Sequence, residues 1–108
     1  MKLSHLDEIE KEETSHAGIF CQRFLRFGEI QSLTNFSQAL IPAGESVSAH
    51  CHETMTEIFY VLSGIGEVIV DGKSYEIKAG TNFCIEATEI HELKAREDLT
   101  ILYFGLLA

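Results

Sequence analysis

The stretch Gly44-Glu45-Ser46-Val47-Ser48-Ala49-His50-Cys51-His52-Glu53-Thr54-Met55-Thr56-Glu57-Ile58-Phe59-Tyr60-Val61-Leu62-Ser63-Gly64 decides the fold, because two strand-like runs in it carry ionisable side chains at short spacing. His50 and His52 are separated by one residue. On a strand, alternate side chains share a face and their Cα atoms lie about 6.6 Å apart, so both imidazoles can converge on one ion. Cys51 between them points the other way and reads as packing. Glu57 follows at an odd offset, so Glu53-Thr54-Met55-Thr56 must turn the chain before Glu57 opens the next strand beside the histidines. On that strand Glu57, Phe59 and Val61 share one face and Ile58, Tyr60 and Leu62 the other, which sets a carboxylate on an apolar interior face. A buried, unpaired carboxylate is costly and a divalent cation is its natural partner. A glutamate standing in water at a barrel rim is the alternative.

Outward from this stretch, short segments rich in Phe, Val, Ile and Tyr alternate with Gly, Asn and Asp, the pattern of an all-β antiparallel sandwich or barrel. Strands are expected at residues 19–27, 36–41, 46–52, 57–62, 66–70, 73–78, 82–85, 91–94 and 99–107. Asp71-Gly72, between Val70 and Lys73, supplies the positive-φ pair of a type I′ hairpin. Pro42, the only proline, closes the second strand. The strand from Leu99 to Leu107 is apolar on both faces and needs cover on both. Residues 1–18, with the charged run Asp7 to Glu13, read as an N-terminal arm with at most one short helix near Ser4, and residues 19–108 as a single barrel domain.

Gly44, His50, His52, Glu57 and Gly64 spell Gly-x5-His-x-His-x4-Glu-x6-Gly, which resembles the first motif of the cupin superfamily at every spacing. The second cupin motif, Gly-x5-Pro-x-Gly-x2-His-x3-Asn, is matched at Gly80 and His91, while Glu86, Thr88 and Ala95 stand at its proline, glycine and asparagine positions. Those departures predict a less sharply bent loop before His91. The resemblance covers Pro42 to Ala95 and implies a double-stranded β-helix, or jelly-roll barrel. It also implies one divalent metal held by the imidazole nitrogens of His50, His52 and His91 and a carboxylate oxygen of Glu57, with two cis positions open for water, dioxygen or a bidentate substrate. Such donors suit iron, manganese, nickel, copper, cobalt or zinc alike.

Composition narrows the partners. The 108 residues fit one compact domain, and 45% hydrophobic with 23% charged residues is ordinary for a folded chain. Seventeen Asp plus Glu against 8 Lys plus Arg give a formal charge of -9, a surface that repels nucleic acids and anionic membranes. No apolar run is long enough to span a bilayer and the first residues lack a signal-peptide core, so a cytoplasmic location is expected. Cys21, Cys51 and Cys84 suit free, buried thiols in a reducing compartment. Gln38 and Arg23 are further candidates to face the cavity, Tyr60, also a candidate catalytic residue, and Tyr103 each offer a phenol, and His5 and His16 match no ligand spacing and are expected in solvent. The functions in view are a metal-dependent, dioxygenase-like enzyme acting on a small oxygen-bearing substrate, a sugar or sugar-phosphate isomerase, and a non-catalytic ligand-binding barrel. The isomerase needs a cation cluster for phosphate, and only Arg23, Arg26, Lys94 and Arg96 are expected near a barrel mouth. Apolar first and last strands also predict a homodimer.

Overall fold

Val70-Asp71-Gly72-Lys73 makes the turn its residues dictate: Asp71 and Gly72 both take positive φ, 49° and 84°, and the strands either side pair in register from Ile65 with Lys78 to Val70 with Lys73. From such local pairings the computed structural model, which describes residues 1–108, builds two antiparallel sheets. The elements are one 3-10 turn, Leu6–Glu8, followed by β1 (Glu12–Glu13), β2 (Phe20–Leu25), β3 (Leu33–Ile41), β4 (Ser46–His50), β5 (Met55–Ser63), β6 (Ile65–Val70), β7 (Lys73–Lys78), β8 (Asn82–Ile85), β9 (His91–Ala95) and β10 (Leu99–Leu107). Six strands order as β1-β2-β3-β10-β5-β8 and four as β4-β9-β6-β7.

The inner faces of the two sheets meet over one apolar cluster that includes Val47, Val61, Val68, Ile77, Leu93, Leu99 and Ile101. Alternation on β10 puts Leu99 and Ile101 in this core, while Leu102 and Phe104 lie on the outer face of the larger sheet. There Phe104 stacks edge-on with Phe36, which meets Phe24 in turn, and Leu40, Tyr60 and Leu62 are exposed around them. The outer face is thus nearly as apolar as the inner one. Gly64 lets β5 turn into β6: its φ is +94°, and a Cβ there would lie 2.1 Å from the Asp98 carbonyl oxygen.

The structure corrects three local expectations. β4 ends at His50, so His52 lies beyond the strand, and the β4–β9 register shifts between Val47 and His50. Cys51 and Cys84 are exposed, and only Cys21 is buried. The loop before His91 keeps its sharp bend without glycine. Thr88 takes the left-handed φ of 75°, the Glu89 N–H donates to the Glu86 carbonyl at 3.2 Å, and the Thr88 N–H donates to the His52 carbonyl at 2.7 Å. Positive φ at the third residue of a turn is the type II arrangement, where glycine is usual.

Candidate metal centre

Four side chains converge where the two sheets meet. His50 ends β4 opposite His91 at the start of β9, Glu57 sits on the inner face of β5, and His52 reaches in from the loop after β4. One donor atom from each lies within 4.8 Å of all the others. Ring centroids are 4.9 Å apart for His50 and His52, 4.3 Å for His50 and His91, and 5.7 Å for His52 and His91. Glu57 is buried, with its Oε1 3.0 Å from His52 Nε2 and 3.6 Å from His91 Nε2.

Two of the rings are oriented by the backbone. His50 Nδ1 lies 2.8 Å from the Ser48 carbonyl oxygen and His91 Nδ1 3.1 Å from that of Glu89. A carbonyl only accepts, so in each neutral ring Nδ1 carries the hydrogen and Nε2 the lone pair. The Nε2 of His91 is buried without any hydrogen-bond partner, a costly state for a polar atom unless a ligand completes it. A divalent cation fits this set: donors on one ion with bonds of about 2.1 Å stand about 3.0 to 4.2 Å apart, so small side-chain movements suffice. Carbonyl groups holding Nδ1 are also the usual support behind metal-bound imidazoles.

Protonation differs among the rings. Burial pushes His50 below the usual histidine range, and the neighbouring imidazoles add to this against the opposing Ser48 carbonyl. Burial also pushes His91 down, but the Glu57 carboxylate and the Glu89 carbonyl outweigh it and leave His91 raised. His16 is lowered, by burial first and by its proximity to His52.

The centre opens on a cavity of about 320 Å³ whose walls include Ala39, Ile41, Met55, Phe59 and Ile101. Arg23 lines it, with its guanidinium paired to Glu12, and Arg26 holds the same carboxylate at 3.0 Å. Gln38 and Tyr60 do not line it. On β3 it is Asn35, Ser37 and Ala39 that point inward, and on β5 Glu57, Phe59 and Val61, so Gln38 and Tyr60 fall on the outer face by alternation. Lys94 and Arg96 line a separate depression beside Glu45 and Glu67. Tyr103 is on the cavity wall, its phenol raised by burial and by Cys21 beside it. His16, expected in solvent, is half-buried at the cavity mouth with its ring centroid 4.6 Å from that of His50, whereas His5 is exposed. Only a signal outside the motifs, the Glu12–Arg23 charge pair that folds the arm inward, foreshadows that placement.

Comparison with known proteins agrees with this architecture. The chain is 37% identical over 59 residues to an oxalate-binding protein of Thermotoga maritima, covering 55% of this chain and 49% of that protein. It is 30% identical over 60 residues to an uncharacterized protein of Methanocaldococcus jannaschii, covering 56% and 48%. The chain therefore spans about half the length of the curated relatives it matches. The crystal structure of a predicted oxalate decarboxylase from Thermotoga maritima superposes with a TM-score of 0.90 at 27% identity, covering 99% of this chain and 100% of that one. A model of the cupin domain matches residues 37–104, more than half of the chain and both halves of the histidine cluster, and this chain belongs to the cupin family.

Proposed function

We propose that this cupin holds one divalent metal ion through His50, His52, Glu57 and His91 and uses it to bind and transform a small oxygen-bearing substrate in the adjoining cavity. One observation carries the reading: a buried His91 Nε2 without a partner, beside two more imidazoles and a buried carboxylate. When bound, the cation supplies Lewis acidity and, if redox-active, electrons for dioxygenase-like chemistry. The chain's own part is to hold the donors in place through the Ser48 and Glu89 carbonyls, and to exclude bulk water with Phe59, Ile41 and Ile101. A second reading, reversible binding of a small dicarboxylate without turnover, is favoured by the likeness to an oxalate-binding protein. A phosphorylated sugar fits less well, because Arg23 is the one basic residue on the cavity wall and Glu12 already neutralises it. The exposed apolar face around Leu40, Tyr60 and Leu62 supports pairing of two chains, and three free thiols suit a reducing, cytoplasmic setting.

The test is oxygen uptake and product analysis with catechols, diketones, oxalate and simple sugars, on protein loaded in turn with iron, manganese, nickel, copper, cobalt and zinc. Turnover that requires the metal supports the enzyme. Saturable oxalate binding with no product supports the second reading, and neither turnover nor binding by metal-loaded protein would overturn both.

A further inference from the structure

The loop between β1 and β2 brings Thr14, Ser15 and His16 to the cavity mouth. It is a locked hairpin. The Thr14 N–H donates to the Ile19 carbonyl at 2.8 Å, and the Ile19 N–H donates to that of His16 at 3.1 Å. The His16 N–H donates to Thr14 Oγ1 at 3.1 Å, and the Gly18 N–H donates to Glu13 Oε2 at 3.0 Å. Glu12, one residue before Glu13, is clamped by Arg23 and Arg26. This frame holds the His16 imidazole 4.6 Å from that of His50, tilted by 53°. His16 is not among the four clustered donors, and its hydrogen bonds within the chain are all made by its backbone. The hairpin therefore holds a ring with no hydrogen-bond partner in the chain against His50, on the wall of the cavity that adjoins the centre. An imidazole keeps at least one N–H in either charge state, so it can donate to a ligand oxygen throughout the neutral range.

We propose that His16 is a specificity-determining residue, donating a hydrogen bond to a carboxylate oxygen of a small ligand bound beside His50, with the Thr14–His16 hairpin as the selective rim of the site. This inference rests on the metal reading above and narrows its small oxygen-bearing ligand to a carboxylate, the class favoured by the likeness to an oxalate-binding protein, with an outer oxygen turned towards His16. A hydrogen bond to a charged oxygen corresponds to about a tenfold change in affinity.

The experiment uses the full chain loaded with cobalt(II), as wild type, His16→Ala and His16→Gln. Metal content is measured by elemental analysis and oxalate affinity by calorimetry and the cobalt absorption spectrum. The expected result is one metal per chain in all three, oxalate binding about tenfold weaker in His16→Ala, and most of that loss recovered in His16→Gln, whose amide keeps a donor. Equal oxalate affinity in the three proteins at equal metal content would overturn the proposal, as would metal-loaded wild type that ignores oxalate. Loss of cobalt from His16→Ala alone would also overturn it, by making the residue a support of the metal. A wild-type chain that takes up no cobalt would sink the underlying metal reading instead, and elemental analysis separates the two failures.

Discussion

Replacing Thr88 by glycine should make this protein more stable. Thr88 is β-branched and exposed, yet it holds a φ of 75° in the turn that delivers His91 to the centre. Left-handed backbone costs an L-residue about 1 to 2 kcal/mol, with β-branched residues at the upper end. Glycine removes that strain but gives the unfolded chain more freedom, which returns about 0.5 to 1 kcal/mol. Little packing is lost, because the side chain faces solvent. The net gain is about 1 kcal/mol, or about 5 °C in Tm for a domain of this size. The backbone hydrogen bond from Thr88 to the His52 carbonyl survives the change, so metal content should stay as in wild type. Denaturant titration and thermal melting of Thr88→Gly against Thr88→Ala, which keeps the strain, make the measurement. A glycine variant no more stable than the alanine variant would refute the claim that this turn is strained.

Three further outcomes follow from the same geometry. Gly64→Ala should lose more than about 2 kcal/mol in urea denaturation, since its Cβ would collide with the Asp98 carbonyl at 2.1 Å where the backbone also has positive φ, and a loss under about 1 kcal/mol would contradict so close an approach of the two backbones. Metal affinity should fall as pH falls, because protons compete for the imidazoles: His91, raised, takes its proton before His50, lowered, so the plot of log Kd against pH steepens toward acid, and a flat plot from pH 7.5 to about 5 would count against histidine ligation. Light scattering at micromolar concentration should give twice the 12.1 kDa chain mass, and a monomer mass that persists on concentrating the sample would retire the dimer.

Some of this is legible in the residues because short-range physics decides it. Asp71-Gly72 selects its turn by φ alone, and the Glu57, Phe59, Val61 alternation correctly separates inside from outside on β5. Gln38 reads as cavity-facing, and lies outside, for a physical reason. Phe36 and Leu40 make its face look as apolar as the true inner face of Ser37, Ala39 and Ile41, and alternation cannot say which of two apolar faces closes over the core. The convergence of His50 and His52 is readable, but the break in β4 after His50 is not, because it depends on pairing with β9. His16 stays hidden because only the long-range clamp of Glu12 by Arg23 and Arg26 folds its hairpin over the site. Thr88 shows tertiary context overriding preference: the pull of the His52 carbonyl and the flanking turn holds a residue where its own sterics resist.

Elemental analysis of purified wild type beside His52→Ala decides whether the histidine and glutamate cluster holds a metal ion. His52 is the right position because its side chain is 33% exposed, so its removal takes a donor while sparing the core that buries His91. One divalent metal per wild-type chain is expected, and a small fraction of that in the variant, since losing one of four donors weakens binding by at least about tenfold. Full metal occupancy in His52→Ala, with the fold intact by circular dichroism, would contradict it.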